Sequence, residues 1–101
     1  MPISVALQNI NGKKFKEVFP AKVLLNRLLP LEDPRFPLLG CVDPYGNTIF
    51  NGLQMRPLLE ELDRLAAGCK SDVAKEALLQ IRELAVQCRD HPHLYVRFIG
   101  D

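Results

Sequence analysis

The chain has no C-x-x-C pair, no glycine-rich phosphate loop and no apolar run approaching the roughly eighteen residues that a membrane span requires. Its three cysteines, Cys41, Cys69 and Cys88, are odd in number and widely spaced. That pattern argues against the dense, even disulfide framework of a small secreted scaffold. The N-terminus has no basic stretch leading into an apolar one, so no export signal is expected. These absences point to a cytoplasmic protein with reduced thiols. Charge of one sign is also lacking: the formal net charge is +1, so the molecule as a whole offers no field to gather a polyanion. Lys and Arg lean toward residues 1–40, a mild asymmetry that a solvated face explains.

What is present is an ordinary globular composition, 48% hydrophobic and 25% charged, over 101 residues. This is enough for one domain, residues 1–101, around one core. Ile3 to Asn9 alternates apolar and polar side chains as a half-buried strand does, and Asn11-Gly12 then signals a tight hairpin. The return strand, Lys13 to Phe19, carries Lys13, Lys14 and Lys16, as suits a sheet edge. Pro20 to Leu29 reads as a short helix ended by Pro30, and Leu31 to Pro37 as a proline-punctuated loop. Leu38 to Val42 is a compact apolar run that predicts a strand, turned at Pro44–Asn47 into a second strand, Thr48–Phe50, with Ile49 and Phe50 filling the core. Asn51 and Gln54 have the spacing of a capping box, yet Pro57 follows closely. Either the first turn is kinked or separate, or the regular helix begins near Arg56.

Beyond that point the periodicity is plain. Met55, Leu58, Leu59, Leu62, Leu65, Ala66 and Cys69 share one helical face, and Gly68 marks the stop. Ser71 or Asp72 caps a second helix whose stripe is Ala74, Ala77, Leu78, Ile81, Leu84, Ala85 and Cys88, broken at Asp90-His91-Pro92. Leu94 to Ile99 alternates as a closing strand that inserts beside the second hairpin. The expected fold is α+β: a small antiparallel sheet, of two hairpins and a C-terminal strand, packed against two antiparallel helices.

Little of this carries chemistry. Cys88, His91 and His93 form one knot of soft ligands, whereas structural zinc usually takes two spaced pairs, and Cys88 lies on the core stripe. Cys41 sits in an apolar run and reads as packing; Cys69 lies at the negative end of a helix, where a thiolate is disfavoured. Glu60 and Glu61 are neighbours in sequence but diverge by about 100° on a helix, so they do not share a site; Glu60 is spaced to pair with Arg64. No catalytic, cofactor-binding or metal-binding residue is assigned, and no cofactor is implied.

The residues left for recognition are Tyr45 at the turn, Tyr95 and Arg97 on the last strand, and Leu79 and Val86, seven apart and opposite the main stripe of the second long helix. They define a candidate interaction surface for another protein or for a second copy. An alternative is a small enzyme or ligand-binding domain with a pocket between sheet and helices, using His91, His93 or Asp101. A third reading, weak nucleic-acid binding through the lysine-bearing hairpin, lacks a wider basic face.

Tyr45-Gly46-Asn47-Thr48-Ile49-Phe50-Asn51 with Gln54, then Glu60-Glu61-Leu62, then His93-Leu94-Tyr95-Val96-Arg97-Phe98-Ile99-Gly100-Asp101, resembles a set of small bacterial proteins with no established activity. The resemblance covers about the C-terminal two-thirds of the chain. It implies a stand-alone bacterial cytoplasmic protein, and by analogy with other one-domain proteins of that kind, a toxin-neutralising immunity protein.

Overall fold

A computed structural model describes residues 3–20 and 23–100. Four strands, β1 (Ser4–Asn9), β2 (Lys14–Val18), β3 (Asn47–Asn51) and β4 (Leu94–Ile99), form one antiparallel sheet in the order β2-β1-β4-β3. Among the described residues three α-helices accompany it: the single turn α1 (Leu25–Leu28), α2 (Met55–Ala67) and α3 (Asp72–Asp90). The fold is therefore α+β, with β4 inserted between the first and third strands.

Alternation along the strands decides which side of the sheet is buried. Val5, Leu7, Phe50, Val96 and Phe98 point to the helices, where they meet Leu58, Leu62, Leu78, Ile81, Leu84, Ala85 and Cys88 in one core. Phe50 and Phe98 contact edge to face, with ring centroids 5.8 Å apart and planes at 80°. The apolar stripe foreseen for α3 is buried at every one of its seven positions. α3 lies against β1, β4 and β2, α2 packs beside α3, and an Arg82–Asp63 ion pair of 2.9 Å ties the two helices at the surface.

The β1–β2 hairpin forms as expected, with Gly12 at φ 85° in its turn. The second hairpin does not. Leu38–Val42 is not a strand: Leu39–Cys41 coils into a 3-10 turn, and among the described residues β3 pairs with β4 alone. The cause is Glu61. Its carboxylate, 3% exposed, accepts the Leu39 N–H at 2.9 Å and the Leu38 N–H at 3.0 and 3.2 Å, so these donors go to a side chain rather than to a neighbouring strand. Cys41 is consequently exposed rather than packed in the core.

The Leu31–Pro37 loop is held as firmly. Arg35 grips the Asp33 carboxylate through its backbone N–H and its guanidinium, which lowers the Asp33 carboxyl below the usual carboxylate range. The Arg64 guanidinium lies 4.5 Å from the Phe36 ring centroid and donates to the Arg35 carbonyl. No ion pair joins Arg64 to Glu60 among the described residues. The structure also settles how α2 begins. Asn51 and Gln54 make both halves of a capping box on a separate 3-10 turn, Gly52–Gln54, and α2 starts at Met55. Pro57 is then its third residue, where the missing N–H would have had no helical partner. Of the short helix expected over Pro20–Leu29, Leu25–Leu28 is helical, while Ala21 and Lys22 fall outside the described residues.

Candidate functional site

With both long helices on one side, the other face of the sheet carries no helix among the described residues. Strand register sets its composition: Ser4, Ala6 and Gln8 from β1, Tyr95, Arg97 and Ile99 from β4, and Asn47, Ile49 and Asn51 from β3. β1 contributes the small and polar floor, and Ser4, Ala6 and Gln8 are buried under the longer side chains on either side. Gln8 and Asn47 are on the strands flanking Arg97, and both orient it. The Arg97 Nε donates to Asn47 Oδ1 at 3.1 Å and an η nitrogen donates to Gln8 Oε1 at 3.3 Å. The guanidinium thus bridges three strands and lies flat across the face. The Ser4 hydroxyl donates to Glu17, which also pairs with Lys14 at 3.2 Å.

Against this polar frame stand half-buried Tyr95 and Ile99 and an Ile49 that is 52% exposed. A planar cation held in place, with an aromatic and two aliphatic side chains around it, is what a protein-binding patch offers. Chemically it can stack, accept an apolar side chain and pair with a carboxylate.

Tyr95 and Arg97 are therefore brought together by the fold. Ile49 belongs with them although sequence reasoning placed it in the core. The expected strand included both Ile49 and Phe50, and strict alternation allows only one of two neighbours to face inward. Tyr45, 83% exposed, stands at the end of β3 beside this face. Its N–H is held by the Asp43 side chain at 2.8 Å, so the tight turn leaves the ring free.

Leu79 and Val86 lie elsewhere, on α3 and so on the opposite side of the sheet. They border a shallow depression with Arg82, Glu83 and Gln87. They are not equivalent: Leu79 is 59% exposed, whereas Val86 is half-buried and packs against the core, so the pair is no continuous outward stripe.

The soft-ligand knot does not converge. The Cys88 thiol donates to the Leu94 carbonyl at 3.3 Å, the His91 Nδ1 is 2.9 Å from the Gln87 carbonyl, and His93 occupies a turn at φ 70°. Among the described residues no three His, Cys, Asp or Glu side chains are grouped as a metal would need. His91, His93, Asn51, Leu53 and Tyr95 do line an open depression of about 470 Å³ at the end of α3. Asp101 lies outside the described residues. The hairpin lysines do not build one basic surface either. Lys14 shares a face with Glu17, while the irregularity in register between Leu7 and Gln8 leaves Lys16 opposite core-facing Leu7.

The cysteines make a prediction of their own. Burial pushes the Cys88 thiol up to about 11, so at pH 8 it stays protonated as well as enclosed. A thiol reagent is expected to modify exposed Cys41 fastest and half-buried Cys69 next, and to reach Cys88 only when denaturant opens the core. Mass spectrometry of time points at pH 8 checks it; early labelling at Cys88 would contradict the packing of α3 on β4.

No protein-family model, curated protein or solved structure matches the chain.

Proposed function

We propose that this protein is a non-enzymatic interaction module whose open sheet face docks another protein, and that its concrete role is to neutralise a bacterial toxin in the cytoplasm by covering the toxin's working surface. The observation that carries the reading is the Gln8–Arg97–Asn47 bridge beside Tyr95 and Ile49. An arginine held rigid before contact loses little conformational freedom on binding, and tyrosine and arginine are the side chains most often found to dominate interfaces. No helix of the described residues is long and apolar enough to cross a membrane, which is compatible with that setting.

The ligand-binding alternative has less support. The space between sheet and helices is filled by apolar side chains, and the His91 ring is engaged by its own helix.

The test is co-expression with the protein encoded next to this chain, scored both for rescue from toxicity and for binding by calorimetry. Tyr95→Ala and Arg97→Glu are each expected to weaken the complex by about 30-fold or more. Leu79→Asp, on the opposite side, should leave it unchanged. A complex indifferent to the two sheet-face substitutions but lost with Leu79→Asp would move the docking surface to α3 and sink the proposal.

A further inference from the structure

The two edges of the sheet are finished differently. β2, at one edge, carries Lys14 and Lys16 and is bent by the irregularity in register opposite Leu7 and Gln8. Charge and a bulge are the usual means by which an edge is kept from pairing with another strand. β3, at the other edge, is Asn-Thr-Ile-Phe-Asn, regular against β4 over its five residues and without a charge, a proline or a bulge.

The ladder also shows which backbone groups of β3 point outward. The Gly100 N–H donates to the Gly46 carbonyl, one step beyond the last paired residues, so Gly46, Thr48 and Phe50 exchange hydrogen bonds with β4. Asn47, Ile49 and Asn51 then turn their N–H and C=O groups away from the sheet. The Asn51 N–H is taken by the Gln54 side chain at 2.9 Å. The N–H and C=O groups of Asn47 and Ile49 gain no further backbone partner among the described residues, whereas the Asn51 carbonyl is the first acceptor of the Gly52–Gln54 turn.

We infer that a second copy of this chain pairs along that edge, β3 against β3 in antiparallel register about a two-fold axis at Ile49, to give a continuous eight-stranded sheet. The placement of the exposed apolar side chains argues for self-pairing rather than for an unrelated strand. Tyr45 and Leu53, 83% and 93% exposed, lie four residues before and four residues after Ile49. A two-fold axis at Ile49 sets the two Ile49 side chains against one another and brings the turn that carries Tyr45 to the end of the seam where the other copy's Gly52–Gln54 turn carries Leu53. That is the self-complementarity that an isologous interface requires. Asn47 falls opposite Asn51, whose backbone groups already serve its own turn, so the backbone exchange between copies centres on the two Ile49 residues. Because β3 carries no charge, two identical copies meet without repulsion. The pairing shares Asn47 and Ile49 with the proposed docking patch but leaves Tyr95 and Arg97 free, so the two are tested apart: self-association by mass with no partner present, docking by Tyr95→Ala and Arg97→Glu.

Sedimentation equilibrium tests this directly. Over a range of about 10 to 500 µM the native chain is expected to pass from the 11.4 kDa monomer to twice that mass, the weak affinity reflecting a small interface. I49E should keep the monomer mass throughout, with an unchanged circular dichroism spectrum because the position is half exposed and lies beside Arg97. Ile49→Cys in a background with Cys41→Ser and Cys69→Ser provides an independent arm. Directly opposed residues of a hydrogen-bonded antiparallel pair have Cα atoms about 5.5 Å apart, so a short bis-maleimide should join the two copies into a covalent dimer. A native chain that stays monomeric over the whole range, a dimer that survives I49E, or one that Ile49→Cys does not cross-link would each overturn the inference.

Discussion

Glu61→Ala is expected to lower folding stability by about 3 kcal/mol, a drop in Tm of roughly 15 °C for a domain of this size. The size follows from what the carboxylate does. It is 3% exposed and is the acceptor for the N–H groups of both Leu38 and Leu39. Removing it leaves two donors in a water-poor setting with nothing to bond, and each such group costs about 1–3 kcal/mol. Leu39, itself fully buried, is fixed by that anchor and carries the connection against the core. Glu61→Gln separates hydrogen bonding from charge. It retains one acceptor oxygen and should recover about half of the loss, measured by urea denaturation with an unchanged m-value. A neutral Glu61→Ala variant would mean that the 38–42 segment is not held by this contact.

Gly40→Ala is the second severe substitution. A methyl group there would sit 2.5 Å from the Asp33 carbonyl oxygen and 3.2 Å from its nitrogen. These are backbone atoms, and they cannot move aside as a flexible side chain would. The loop around them is closed by Glu32 N–H to Gly40 C=O at 2.9 Å and by Gly40 N–H to Phe36 C=O at 2.6 Å. The segment must open for the methyl group to fit, at a cost of about 3 kcal/mol. Since Glu61 and Gly40 brace one segment, Gly40→Ala combined with Glu61→Ala should cost clearly less than the sum of the two, the segment having been released once already. Thermal melts of the two single variants and the double variant check both the size and the coupling.

Several features are legible in the sequence because they depend on neighbours in the chain. The α3 stripe repeats at three and four residues over five turns, a pattern no strand reproduces. Asn11-Gly12 and the Asn51–Gln54 capping box are local devices whose partners lie within a few residues. Leu38–Val42 reads as a strand and folds otherwise for the opposite reason. Five apolar residues fit a strand or a helical turn equally, and the deciding partner, Glu61, lies far along the sequence on a helix not yet formed. The candidate site was legible only in part. Tyr95 and Arg97 are spaced to share a face, but their company with Gln8 and Asn47 follows from β4 lying between β1 and β3, and sheet order has no local signature.

That order also governs how the molecule assembles in time. The two central strands pair from Ser4 with Ile99 to Asn9 with Leu94, so the middle of the sheet joins segments from nearly opposite ends of the sequence. Among the described residues β3 has no strand partner except β4. A chain emerging from the ribosome can close the β1–β2 hairpin and wind α2 and α3. It must then wait with a lone hairpin, a lone strand and two apolar helix faces until Leu94–Ile99 arrives. Contacts this distant in sequence slow the closing step, and during the delay the uncovered faces depend on dilution or on chaperones to stay apart.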